Sequence, residues 1–180
     1  MKQWSGVGLA LLAGLPAALL AQGGAHVHGA ARLSLVQEAG VVTVMLDSPL
    51  EAIVGFEHAP QNAAQKAALA KAAAALQRPE SLVVLPSAAA CQLTETDIDL
   101  PFGAGDAGHG AHEAHGDHAD VAASYTFACA QPDKLERLEV KAFARFPRLR
   151  RIDAEAATAA GQGKAVLDAA HALWSLPVKR

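Results

Sequence analysis

The chain has 180 residues, a formal net charge of −3 with neutral histidines, 52% hydrophobic residues and 4% aromatics. Much of the hydrophobic fraction is alanine, so one modest core is expected in a mature chain of about 155 residues, and two domains would be crowded. The mild net charge implies neither a nucleic-acid partner nor a membrane-surface partner.

Lys2 supplies a positive start, Val7 to Leu20 an apolar run, and Ala21 to Ala25 small residues suited to processing. Residues 1–25 therefore read as a secretory signal peptide, cleaved after Ala21 or after Ala25. The run is too short for a membrane span, and no later segment replaces it, so no membrane insertion is expected after signal removal. Residues 26–180 are expected to form one domain. "AARLSLVQEAGVVTVMLDSPL" reads as a β-hairpin turning at Glu38-Ala39-Gly40 and ending at Pro49, and "GFEHAPQ" as a connector. Gln61 to Gln77 is the main helix: alanine, leucine, lysine and glutamine favour it, Pro60 precedes it, and Arg78-Pro79 halts it. Leu69 and Leu76 share one of its faces.

"SLVVLP" and "ACQLTETDIDL" look extended; strict alternation in the second sets Leu93, Glu95, Asp97 and Asp99 against Gln92, Thr94, Thr96 and Ile98. "SYTFACA" and "LERLEVKAFARF" read as a strand pair joined by a Gln131-Pro132-Asp133 turn. Lys134 to Arg151 carries seven basic residues against Glu136 and Glu139. Leu138, Val140, Ala142, Ala144 and Phe146 alternate with Glu139, Lys141, Phe143 and Arg145, so the basic stretch reads as a half-exposed strand rather than a nucleic-acid patch. Near the end, alanine permits helix, but Gly161-Gln162-Gly163 favours a hairpin. The fold class is α+β: antiparallel sheets, one main Ala-rich helix, and a long His-rich loop at about residues 104–120.

Two cysteines, Cys91 and Cys129, in an exported chain are expected to form one disulfide. The His-rich segment lies wholly between them, so the bridge is expected to tether both of its ends.

That segment, "DAGHGAHEAHGDHAD", spaces His109, His112, His115 and His118 three residues apart among four carboxylates. It has almost nothing to bury, so packing does not explain it. Four imidazoles satisfy tetrahedral zinc at about 2.0 Å, and Glu113, Asp117 and Asp120 can add oxygen ligands or orient the rings. A compliant histidine site also binds copper and nickel. "HVHG" adds His26 and His28. After cleavage at Ala25 the new amine, backbone nitrogens and one imidazole form a planar site suited to copper or nickel; after cleavage at Ala21, His26 and His28 share one strand face, placed for one zinc. His58, in "GFEH" beside Glu57, is either a third donor or a hydrogen-bonded loop histidine. His171 reads as structural.

"HVHG" before a hairpin, "GFEHAPQ" before the Ala-rich helix, Cys91, the His-rich insertion, "YTFAC" and "FARFP" together resemble the ZrgA-like periplasmic zinc-binding proteins of Gram-negative bacteria. The likeness spans nearly all of the mature chain. It implies zinc binding in the periplasm and a contribution to zinc acquisition alongside an ABC-type importer. By position it points to His26, His28, His58 and the loop histidines. The loop departs from denser histidine runs, having glycine and alanine between single histidines. The expected function is a zinc buffer or carrier, not an enzyme, because no "HExxH" or other rigid catalytic pattern is present.

Overall fold

Alternating leucines and valines build the first two strands. In β1 (Ala30–Glu38) Ala31, Leu33 and Leu35 are buried, and in β2 (Val41–Pro49) Val42, Val44 and Leu46 are buried. The hairpin register sets Leu33 opposite Leu46 and Leu35 opposite Val44, so one face is apolar throughout. The computed structural model describes residues 28–103 and 119–178. The expected signal peptide, His26, and His109, His112, His115 and His118 lie outside the described residues.

The remaining elements are α1 (Leu50–Val54), α2 (Ala63–Leu76), β3 (Val83–Val84), β4 (Cys91–Asp99), β5 (Asp120–Cys129), β6 (Arg137–Val140), α3 (Ala142–Arg145), β7 (Arg151–Thr158), β8 (Gly161–Leu167) and β9 (Leu173–Ser175). A six-stranded sheet has the order β4-β5-β2-β1-β7-β8, and a three-stranded sheet the order β3-β6-β9. Among the described residues every strand pairing is antiparallel except β1 with β7, which run parallel, an exception to the expected antiparallel arrangement. The inner face of the large sheet, with Leu33, Val44, Tyr125 and Ile152, forms one buried cluster with Leu76 of α2 and with Val83, Leu138 and Trp174 of the small sheet.

The helix expected over Gln61–Gln77 is α2. Asn62 caps it, its Oδ1 accepting from the Gln65 N–H at 2.9 Å, and Arg78-Pro79 ends it as expected. It buries Leu69, Ala72, Ala75 and Leu76, each leucine contributing about 1.5–3 kcal/mol. Its last turn is tied to the sheet by the Tyr125 hydroxyl, which donates to the Leu76 carbonyl at 2.6 Å. Burial, with a smaller effect of the nearby Glu80 charge, pushes the Tyr125 phenol well above its ordinary pKa, so it stays a donor.

Four local expectations need correction. The hairpin of "SYTFACA" with "LERLEVKAFARF" does not form: β5 is already paired on both edges, by β4 and β2, so β6 joins the small sheet instead. The basic strand stops at Val140. Beyond it Ala142, Phe143, Phe146 and Leu149 are all buried, a three- to four-residue spacing that belongs to a helical turn and not to a strand. In β4 the alternation is broken by a bulge between Leu93 and Glu95. Leu93 therefore lies on the same side as Thr96 and Ile98, leaving Glu95, Asp97 and Asp99 outward. Asp120, placed in the loop by the sequence, begins β5. The Gly161-Gln162-Gly163 hairpin does form, as β7 and β8.

Replacing Tyr125 with Phe keeps the packing but orphans the Leu76 carbonyl. The variant is expected to lose about 1–3 kcal/mol of stability in urea unfolding, with the far-ultraviolet circular dichroism of the folded state unchanged.

Candidate metal centre

Strand direction gathers His28, the segment that leads to His58 and the residues flanking the His-rich segment at one end of the large sheet. His28 leads into β1, and Arg32 lies opposite Asp47 near the end of β2. At the same end, Pro49 lies opposite Asp120 and Asp99 opposite Ala122, which places both roots of the His-rich segment there. The connection is direct: the Leu50 N–H, at the start of α1, donates to the carbonyl of Ala119 at 2.8 Å. Ala119 is covalently joined to His118. From α1 the chain passes through Gly55 to Glu57 and His58.

His28 Nδ1 lies 3.7 Å from Glu51 Oε2 and 4.0 Å from Glu57 Oε1. The imidazole is 76% exposed, whereas the Glu51 and Glu57 side chains are 30% and 24% exposed. Glu51 Oε2 itself is buried and has no hydrogen-bond partner among the described residues. Both sides of this cluster are mounted on the segment 148–151. Gly29 accepts from the Arg150 and Arg151 N–H groups at 2.8 and 3.1 Å, and a Cβ there would meet the Arg148 carbonyl at 2.9 Å. Gly55 closes α1 in the left-handed region (φ 92°), its N–H donating to the Glu51 carbonyl; a Cβ at this glycine would strike the Arg148 guanidinium at 2.7 Å.

His58 is exposed. Its Nδ1 donates to the Ala59 carbonyl at 2.8 Å, and its ring lies 5.4 Å from that of Phe56. This is the hydrogen-bonded loop histidine allowed for above, and the bond makes Nε2 the ring nitrogen with the free lone pair in the neutral imidazole. Among the described residues, no three His, Cys, Asp or Glu side chains gather closely enough to hold a metal ion. Asp168 caps the turn that carries His171: its Oδ1 accepts from the Ala170 and His171 N–H groups and faces the His171 ring, and the His171 N–H chiefly holds the carboxyl below its usual range.

Glu51 escaped the sequence reading because a five-residue helix is too short to show a period. Its only sequence signal is an acid two residues after Pro49. The basic residues follow the solvated reading: Arg151 pairs with Asp153 and Lys164 with Glu155 on exposed strand positions.

Cys91 and Cys129 form the expected disulfide, with an S–S distance of 2.03 Å. Its position corrects the expected tether. Cys91 starts β4 and faces Cys129 at the end of β5. Eight residue steps along β4 separate Cys91 from Asp99, roughly 27 Å. The ends of the His-rich segment are held together by β4–β5 pairing, not by sulfur. Beside the bridge is an open groove of about 500 Å³ bordered by Pro79, Val84, Pro86 and Leu93, with Glu80 its one ionisable side chain.

The model of one protein family, described as ZrgA family zinc uptake protein, matches residues 25–176. The chain belongs to the ZrgA family. A comparison with curated proteins finds no match. The ZrgA match takes in all seven candidate histidines, both cysteines and Glu51. Its description is of zinc uptake and names no catalysis, so zinc is the ion with which this chain is associated. Among the described residues no helix is long and apolar enough to cross a membrane.

Because the bridge is remote from the sheet end that carries His28, a Cys91→Ala/Cys129→Ala variant is expected to lose up to roughly 4 kcal/mol of stability in urea. Its zinc stoichiometry, measured below the unfolding midpoint, is expected to equal that of the parent.

Proposed function

We propose that this ZrgA family member is a non-catalytic periplasmic zinc carrier or buffer that takes up zinc through His28, His58, His26 and the four loop histidines and passes it to an ABC-type importer. The observation that supports this most is the convergence, at one sheet end, of His28, the α1–His58 segment and both roots of the His-rich segment. Neutral imidazoles supply nitrogen donors of the kind zinc prefers. Glu51 and Glu57 add negative charge beside His28, which favours a dication over monovalent ions. Capture by a glycine-bearing segment costs conformational entropy, which moderates affinity and makes release to a second protein feasible.

The test is metal analysis of untagged protein purified from the periplasm, compared with a variant carrying His109→Ala, His112→Ala, His115→Ala and His118→Ala. The parent is expected to contain zinc and the variant to lose most of it. Equal zinc in both, or copper or nickel in its place, overturns the proposal. Protons compete with the metal for imidazole, so between pH 7.5 and 5.5 zinc affinity in calorimetric titration is expected to fall by about tenfold for each imidazole ligand. Unchanged affinity contradicts imidazole ligation.

A further inference from the structure

We propose that Glu51 is the positioning carboxylate of His28: it takes the Nδ1–H, so that Nε2 is the nitrogen His28 offers to zinc. This rests on His28 being a ligand, as proposed above, and adds which nitrogen binds and what selects it. Nδ1 is the ring nitrogen that faces the carboxylates, 3.7 Å from Glu51 and 4.0 Å from Glu57. These distances exceed hydrogen-bond length, so the resting contact is electrostatic, and a small rotation of the exposed ring closes it. Glu51 supplies the reason to close: its buried Oε2 has no donor among the described residues, and an unsatisfied buried oxygen costs stability.

The mounting of the two groups favours this pairing. Glu51 is carried on α1, whose end at Gly55 is pressed against the Arg148 side chain, while His28 is carried by Gly29, pressed against the Arg148 carbonyl. One residue thus sets the spacing of both. At His58 the same choice of nitrogen is made by a backbone carbonyl, since Nδ1 donates to Ala59. Two imidazoles at one sheet end then present the same nitrogen outward. A carboxylate on the remote nitrogen also makes the ring a better donor to metal.

The test uses full-length protein labelled with ¹⁵N at histidine, whose tautomers are read by long-range ¹H–¹⁵N correlation without metal and with zinc. Wild type is compared with Glu51→Met, His28→Ala and the double variant. Wild-type His28 is expected to carry its proton on Nδ1 without metal and to bind zinc through Nε2. Glu51→Met is expected to shift the ring toward the Nε2–H form and to weaken zinc binding roughly ten- to hundredfold. Its urea midpoint is expected to stay close to that of wild type, because a contact with a ring that is 76% exposed contributes little to folding; a purely structural Glu51 predicts a lower midpoint and an unmoved tautomer. Zinc on Nδ1 with Glu51 as a direct ligand, a wild-type ring protonated at Nε2, or an equal Glu51→Met effect in the His28→Ala background overturns the proposal. If His28→Ala binds zinc like wild type, the ligand assignment itself fails. That failure is told apart from failure of the Glu51 role because the tautomer is read without metal.

Discussion

Strand β5 hydrogen-bonds along both edges, to β4 on one side and to β2 on the other, and its alternate residues Val121, Ala123, Tyr125 and Phe127 fill the core. A central strand of this kind leaves little freedom to its neighbours, since a slip of one residue would turn the buried set out to solvent. Its register with β2 sets Pro49 beside Asp120, and its register with β4 sets Asp99 beside Ala122. The insertion carrying four histidines is thereby rooted next to α1, and α1 carries Glu51 toward His28. The meeting of these segments at one end of the sheet is a consequence of strand pairing in the core.

The same pairing separates stability from chemistry. The disulfide joins β4 and β5 at the opposite end of the hairpin, and Tyr125 ties α2 to the middle of the sheet. The outer face holds exposed ion pairs such as Arg151 with Asp153 and Lys164 with Glu155, which contribute little to stability. What remains at the His28 end is a short helix, two glycines that permit close approach, and one arginine against which both are packed. That arrangement sets a carboxylate pair beside the His28 ring, which suits the carrier role proposed above.

Much of this was legible along the chain. The β1–β2 and β7–β8 hairpins and the helix from Ala63 to Leu76 follow from local propensity, turn residues and caps, which contiguous residues carry. The errors share a cause. The bulge between Leu93 and Glu95 depends on what β5 presents to β4, and the exclusion of β6 from the large sheet depends on β2 having already occupied the second edge of β5. Phe143 and Phe146 fit a strand pattern as written, yet both are buried in a helical turn under the core.

The sequence by itself determined the side-chain chemistry on offer: imidazoles with carboxylates beside them, two cysteines with only each other to pair with, and motifs similar to those of a zinc uptake family. Tertiary structure alone decided the geography. It put the disulfide at the far end from the histidine insertion, brought Glu51 within reach of His28, and made Arg148 the common support of both. The physical reason is that side-chain identity is a local property, whereas neighbours across a sheet are chosen by burial and register summed over strands distant in the chain.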